Sequence, residues 1–372
     1  PFHIPSGTPE SIKIHVSRSR QVAFGNVTSN RRSPASIIGA VLYGVYERES
    51  RGGSPVTDVV VRRGTVHGMS MDDYAAALRD RLSDGNVTRP ATTEDELSAL
   101  ESATVVTGGS ITEAELDRAS DLQYFACSSA GYEHLPLDAL ADAGVAVTNA
   151  AGVHAPNVSE YVLGALLAFE RRFFEARSRQ ERREWRSYKA TELAGSRVVV
   201  VGMGAIGQAI LERLAPFDVE TVSVRYSPDK DTPADEVYGY DDVEAAAADA
   251  DAIALACPLS EETTALVDRE VLANLDPDAT VVNVARGPVV DTDALVRAIR
   301  KNAIGGAALD VTDPEPLPAE HDLWGFDNVL ITPHNAGHTP AYFDRLADIV
   351  TENIERASSS GEWTGLRNQI LP

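Results

Sequence analysis

Apolar residues along this chain fall into short runs separated by polar turns, and β-branched runs alternate with stretches of helical spacing. Val56-Thr-Asp-Val-Val-Val-Arg62 predicts a first strand, and a helical stretch follows over 71–82. A strand is expected over 103–107, a helix over 112–119, a strand over 122–127, a helix over 137–143 and a strand over 145–148. A long amphipathic stretch over 157–175 then opens a second unit of the same kind. Its strand-like runs are Arg197-Val-Val-Val-Val201, Val219-Glu-Thr-Val-Ser-Val-Arg225, Ala252-Ile-Ala-Leu-Ala-Cys-Pro258, Ala279-Thr-Val-Val-Asn-Val-Ala-Arg-Gly287, Gly305-Gly-Ala-Ala-Leu-Asp-Val311 and Asn328-Val-Leu-Ile-Thr-Pro-His334. This alternation predicts an α/β protein of two units, each a parallel sheet covered by helices.

Residues 1–55 break the pattern. They carry no sustained period and are net basic, whereas the rest of the chain is strongly acidic. This segment is expected to lie outside the working protein, as upstream sequence read from a wrong start with Val56 as the true initiator, or as a flexible arm. The whole chain has a formal net charge of −23 and only four lysines, Lys13, Lys189, Lys230 and Lys301. Such a surface repels nucleic-acid phosphate, and concentrated salt screens its self-repulsion, so the expected setting is a cytosol of high ionic strength without a nucleic-acid partner. The longest apolar stretch, near 162–169, is too short to span a bilayer, so no membrane partner is expected. Cys127 and Cys257 stand far apart in apolar surroundings and read as buried free thiols of a reducing compartment, with no zinc site.

The run 197–201 leads directly into Gly202-Met-Gly-Ala-Ile-Gly207 and then into the helix-like Gln208-Ala-Ile-Leu-Glu-Arg-Leu214. The first glycine of such a motif allows the tight turn, the second lets the backbone approach a pyrophosphate, and the third lets helix pack on strand. The helix N-terminus, with Ala205 and Ile206 in its first turn, then receives phosphate charge. The βαβ context makes this a dinucleotide site. At the end of the second strand an acidic residue would bond the ribose 2′-hydroxyl, but Arg225 stands there, suited to a 2′-phosphate. Tyr226, Ser227 and Lys230 can assist it. NADP(H) is therefore expected as the preferred cofactor, with NAD(H) possible; an exposed arginine tolerated by NAD is the plainer reading.

Further strand ends deliver Arg286, Asp310, Glu315 and His334 to the rim where ligands of an open parallel sheet gather. A histidine can supply a proton to a carbonyl oxygen while hydride reaches the carbon. A carboxylate on its other ring nitrogen holds the ring, and an arginine fork can grip carboxylate and carbonyl oxygens. Taken singly, each has a blander reading: a structural histidine, a surface ion pair, a solvated loop charge.

In these motifs the chain resembles the D-2-hydroxyacid dehydrogenases. The likeness covers about residues 57 to 372 and rests on Gly202–Gly207, Pro258-Leu-Ser-Glu-Glu-Thr-Thr264, Val282-Asn-Val-Ala-Arg-Gly-Pro-Val-Val-Asp291, Ala308-Leu-Asp-Val-Thr-Asp-Pro-Glu-Pro-Leu-Pro318 and Leu323-Trp-Gly-Phe-Asp-Asn-Val-Leu-Ile-Thr-Pro-His334. It implies two Rossmann-like, doubly wound parallel-sheet domains with the active site in the cleft between them. The substrate domain would comprise 56–153 plus 335–372, and the dinucleotide domain 154–334. It also implies Arg286 as binder of the substrate, Glu315 and His334 as the acid/base dyad, and cofactor contacts at Cys257, Pro258, Thr263, Ala285, Arg286, Asp310 and His334, with Asp310 near the nicotinamide carboxamide. The substrate carboxylate would rest on backbone N–H groups of the loop Ser129-Ala130-Gly131-Tyr132. Glu133-His134 and Asn157-Val-Ser-Glu160 depart from the usual pattern and bear on which acid is chosen. Tyr132 and Trp324 are candidate pocket walls, and His154 lies near the expected cleft. A homodimer built on the stretch after Asn157 is also implied. The expected reaction interconverts 2-oxo acids and D-2-hydroxy acids. Glyoxylate or hydroxypyruvate reduction is one specialisation, and a dinucleotide-sensing corepressor is the reading from another class.

Overall fold

The computed structural model describes residues 57–66, 68–82 and 85–372, so the expectations for residues 1–55 lie outside it. A first sheet takes β1 (Asp58–Val61), β2 (Asn86–Thr88), β3 (Val105–Gly108), β4 (Tyr124–Cys127) and β5 (Ala146–Thr148). A second takes β6 (Arg197–Val201), β7 (Glu220–Val224), β8 (Glu236–Tyr238), β9 (Ala252–Leu255), β10 (Thr280–Asn283), β11 (Gly306–Leu309) and β12 (Val329–Ile331). The final strand, β13 (Gln369–Leu371), returns to the first sheet, whose order is β13-β5-β4-β3-β1-β2. Every pairing in the second sheet is parallel, but β13 runs antiparallel to β5, so the first sheet is not purely parallel as expected.

Continuous apolar runs form these strands because both faces of each sheet are covered. Along β6, Val199 and Val201 enter one core while Val198 and Val200 enter another on the opposite face. The first sheet divides in the same way, Val59 and Val61 packing apart from Val60. Helices begin where the sequence supplies caps. The hydroxyl of Ser70 accepts from the amide of Asp72 at the start of α1 (Met71–Arg81).

The stretch expected as one helix over 157–175 is two: α2 (Ala155–Glu170) and α3 (Phe173–Glu181). Arg172 between them has φ of 50°, a left-handed conformation that no α-helix continues through. Farther on, α4 (Ala205–Leu214) follows the glycine turn, and α5 (Tyr342–Ser360) buries Leu346, Ala347, Val350 and Ile354 in the core shared with Tyr74 and Leu78 of α1. This helical spacing ties the end of the chain to its first sheet.

The second sheet reads β8-β7-β6-β9-β10-β11-β12. The chain moves outward from β6 on one side and resumes at β9 on the other. That reversal leaves a crevice at the carboxyl ends of β6 and β9, where ligands of such sheets bind.

Candidate active site

The glycine turn sits in this crevice. Gly202 has φ of +96°, and a Cβ on it would lie 2.6 Å from the backbone of Cys257, so only glycine lets the ends of β6 and β9 close together. A Cβ on Gly207 would collide with the carbonyl oxygen of Gly202, which keeps α4 tight against the strand. Gly204 is the N-cap of α4 and no side chain caps that helix, so its first turn, Ala205 and Ile206 included, leaves N–H groups for an anion. Nothing lies within 4 Å of a Cβ built on Gly204, so the space above the turn is open. These features fit a dinucleotide pyrophosphate.

Arg225 stands one strand away. The amide of Gly202 donates to the carbonyl of Val224 at 2.7 Å, which places Arg225 beside the turn. Its Nη1 donates to the carbonyls of Lys230 and Asp231, both at 3.2 Å. The guanidinium is thus held by its own loop, with Tyr226 exposed and Ser227 half-buried beside it.

Two expected cofactor contacts also have partners within the protein. Thr263 is fully buried; its hydroxyl donates to the Pro258 carbonyl at 2.7 Å and accepts from the Ser260 amide at 2.8 Å. It shapes the loop behind exposed Pro258. Asp310 is bonded within the protein as well. Its carboxylate accepts from the Thr332 hydroxyl at 2.5 Å and from the amides of Asn335 and Ala336 at 2.7 and 2.9 Å. A buried carboxylate needs such donors, and these fix the turn that carries His334. Cys257 is buried and free, as is Cys127, and burial pushes the Cys257 thiol up to about 11. Its backbone lies against the glycine turn, and its side chain is covered.

His334 has φ of 52°, and its amide donates to the Asp310 carbonyl at 2.8 Å. Its Nδ1 lies 2.8 Å from Oε1 of Glu315, with both side chains about half exposed. The carboxylate accepts, so Nδ1 carries the hydrogen of this bond. Arg286 is exposed at the end of β10. Asn283, buried beneath it, donates to the Arg286 carbonyl and accepts from the Ala285 amide, both at 3.0 Å. Nη1 of Arg286 donates to the Ala285 carbonyl at 2.7 Å. Among the described residues no carboxylate pairs with Arg286, so the surface ion pair is not what holds it.

In the first sheet, the loop after β4 has all its carbonyls tied back. The Ser128 carbonyl accepts from the Tyr342 hydroxyl, Ser129 from the Ala150 amide at 3.0 Å, Ala130 from Asn149 Nδ2 at 2.6 Å and Gly131 from the Ser129 hydroxyl at 2.8 Å. In a trans peptide the C=O and the next N–H point opposite ways. The N–H groups of Ala130, Gly131 and Tyr132 therefore turn away from these anchors, and none has a protein acceptor among the described residues. Successive free N–H groups make an anion-binding concavity. Tyr132 itself packs half-buried against the core of the first sheet.

Of the remaining candidates, His154 packs its ring 4.9 Å from that of Tyr342. Trp324 is half exposed and donates its indole N–H to the Pro318 carbonyl at 2.9 Å. The sequence did not single out Asn149, Asn283, Thr332, Tyr342 or Asn368, whose roles are set by partners remote in the chain. A cavity of about 550 Å3, lined by Phe169, Arg172, Asp251, Asp278, Gly305 and Asn328, lies at the amino ends of the second sheet, away from this chemistry. No helix among the described residues is long and apolar enough to cross a membrane.

A helix N-terminus open to phosphate at the switch point of a parallel sheet is the arrangement of a dinucleotide-binding domain. Residues 163–336 match the family profile described as D-isomer specific 2-hydroxyacid dehydrogenase, NAD binding domain. The chain is 36% identical over 249 residues to a glyoxylate reductase of Thermofilum pendens, covering 64% of this chain and 73% of that protein. It is 32% identical over 297 residues to an (S)-sulfolactate dehydrogenase of Chromohalobacter salexigens, covering 76% and 94%. The solved structure of a D-isomer specific 2-hydroxyacid dehydrogenase family protein from Aeromonas salmonicida superposes with a TM-score of 0.67 at 29% identity, over 84% of this chain and 98% of that one. The chain belongs to the D-isomer specific 2-hydroxyacid dehydrogenase family, enzymes that act on CH–OH groups with a nicotinamide dinucleotide.

Proposed function

We propose that this enzyme reversibly reduces a 2-oxo acid to the D-2-hydroxy acid, with NADP(H) as its preferred dinucleotide and NAD(H) as a second choice. The observation that carries the reading is the 2.8 Å contact between Glu315 and His334, on the same rim as an Arg286 that has no carboxylate of its own. Residues 202–207, Pro258 and the Arg225 loop would hold the dinucleotide, which supplies hydride at the substrate C2 when bound. The substrate carboxylate rests on the N–H groups of Ala130, Gly131 and Tyr132. Arg286 donates to carboxylate and carbonyl oxygens and draws charge onto the carbonyl oxygen. His334 Nε2 delivers a proton to that oxygen in reduction and takes it back in oxidation, while Glu315 holds the ring and stabilises the imidazolium. Relatives named as glyoxylate reductase and glyoxylate/hydroxypyruvate reductase support small 2-oxo acids of this kind as substrates.

In this reading, 56–153 with 335–372 form the substrate domain and 154–334 the dinucleotide domain. The return of β13 to the first sheet supports the division. The active site lies in the cleft between them, where closure excludes water. A homodimer is built on α2 and the segment after it; fully exposed Trp185 and exposed Phe173 support that surface. The excess of acidic residues and the scarcity of lysine support a salt-rich cytosol. Purified protein in molar KCl, assayed with NADPH or NADH against glyoxylate, hydroxypyruvate and larger 2-oxo acids, tests the reading. Turnover with none of them contradicts it.

A further inference from the structure

We infer that Asn149 is a positioning residue that sets the direction of the Gly131 N–H and ties the substrate loop to the end of the chain. This rests on the reading of loop 129–132 as the carboxylate site. The Ala130 carbonyl and the Gly131 N–H belong to one peptide plane, so a donor on the carbonyl fixes where the N–H points. That donor is Asn149 Nδ2 at 2.6 Å. The other end of the same amide, Oδ1, accepts from the Ala151 amide at 3.1 Å. Only a side chain with donor and acceptor together serves both, and Asn149 is buried, so neither role passes to water.

Asn149 is itself held from 219 residues away. Its amide donates to the Asn368 carbonyl at 3.2 Å, and Asn368 Nδ2 donates to the carbonyls of Asn149 and Ala151 at 3.2 and 2.8 Å. Asn368 reaches them from a left-handed turn, φ 59°, just before β13. The segment 149–153 is also where the chain leaves the first sheet for α2. The Gly131 peptide, the exit from the first sheet and the returning strand therefore share one buried amide. Without it the Ala130–Gly131 peptide is free to rotate, which turns a carbonyl oxygen toward the incoming carboxylate.

The test measures glyoxylate reduction with NADPH in Asn149→Ala and, because that change removes both bonds, in the isosteric Asn149→Asp, which keeps the acceptor and loses the donor. Both are expected to raise KM for glyoxylate about tenfold, as for a lost hydrogen bond to a charged group. KM for NADPH should stay within a factor of two and kcat should change less than KM. Gly131→Ala tests the loop itself, since its methyl meets only the carboxylate end of the exposed Glu133 side chain, at 3.0 Å. If Gly131→Ala raises KM and folded Asn149 variants do not, the positioning role is wrong and the loop reading stands. If Gly131→Ala leaves KM unchanged, both are wrong. Equal losses in KM for glyoxylate and NADPH in the Asn149 variants also overturn the inference, because they report general disruption.

Discussion

Glu315 Oε1 and His334 Nδ1 stand 2.8 Å apart although neither lies in a helix or strand. Each is carried by a loop leaving the carboxyl side of the second sheet, and the buried Asp310 carboxylate fixes the histidine's turn from below. The imidazole is thus oriented from two sides, by one bond to its ring and by bonds from the amides of His334, Asn335 and Ala336 to Asp310.

His334→Ala is accordingly expected to lower kcat for 2-oxo acid reduction by about 10²- to 10⁴-fold, the usual worth of a positioned general acid. NADPH binding, followed by its fluorescence, should stay near wild type. Glu315→Gln should cost less, because the amide oxygen still accepts from Nδ1 but no longer stabilises the imidazolium. A His334→Ala enzyme with near-normal kcat removes the acid/base assignment.

Arg225→Ala should reduce kcat/KM with NADPH about 10- to 100-fold, the loss of a charge-assisted phosphate contact, and leave the NADH value nearly unchanged. Steady-state kinetics with both cofactors checks this. Equal losses with the two would mean that the arginine only holds its loop through Lys230 and Asp231.

Burial pushes the Cys257 thiol up to about 11, so the thiol is protonated throughout the neutral range and the reactive thiolate forms only as pH approaches that value. Iodoacetamide should label native Cys257 far more slowly at pH 8 than a free cysteine, and the rate should rise steeply toward pH 11. Mass spectrometry of the labelled peptide reads the outcome. Rapid labelling at pH 8 would show that the contact between Cys257 and the glycine turn opens readily.

A net charge of −23 predicts a melting temperature that climbs as KCl is raised from low to molar concentration, because salt screens carboxylate repulsion. Calorimetry across that series checks it. A melting temperature independent of salt argues against adaptation to a salt-rich cytosol.

The glycine turn was legible because its backbone demands, a positive φ at Gly202 and close approach at Gly207, admit almost no other residue. The places of Arg286, Glu315 and His334 beyond the carboxyl ends of the second sheet were legible for a related reason: each follows an apolar strand run. Asn149, Asn368 and Tyr342 were not. Their partners lie 19 to 219 residues away, and an asparagine or tyrosine in a loop carries no period to betray a buried bond. The internal partners of Asp310 and Thr263 were hidden too, because motif position reports proximity and not which way a side chain turns. The helix break at Arg172 was hidden as well, since apolar spacing continues across it.

The central claim is tested most directly by the handedness of the product. Hydroxypyruvate incubated with the purified enzyme and excess NADPH should be consumed with stoichiometric loss of absorbance at the reduced-nicotinamide band, and chiral chromatography should then recover D-glycerate alone. Recovery of L-glycerate, or no consumption with this or any other 2-oxo acid in molar salt, would contradict the account.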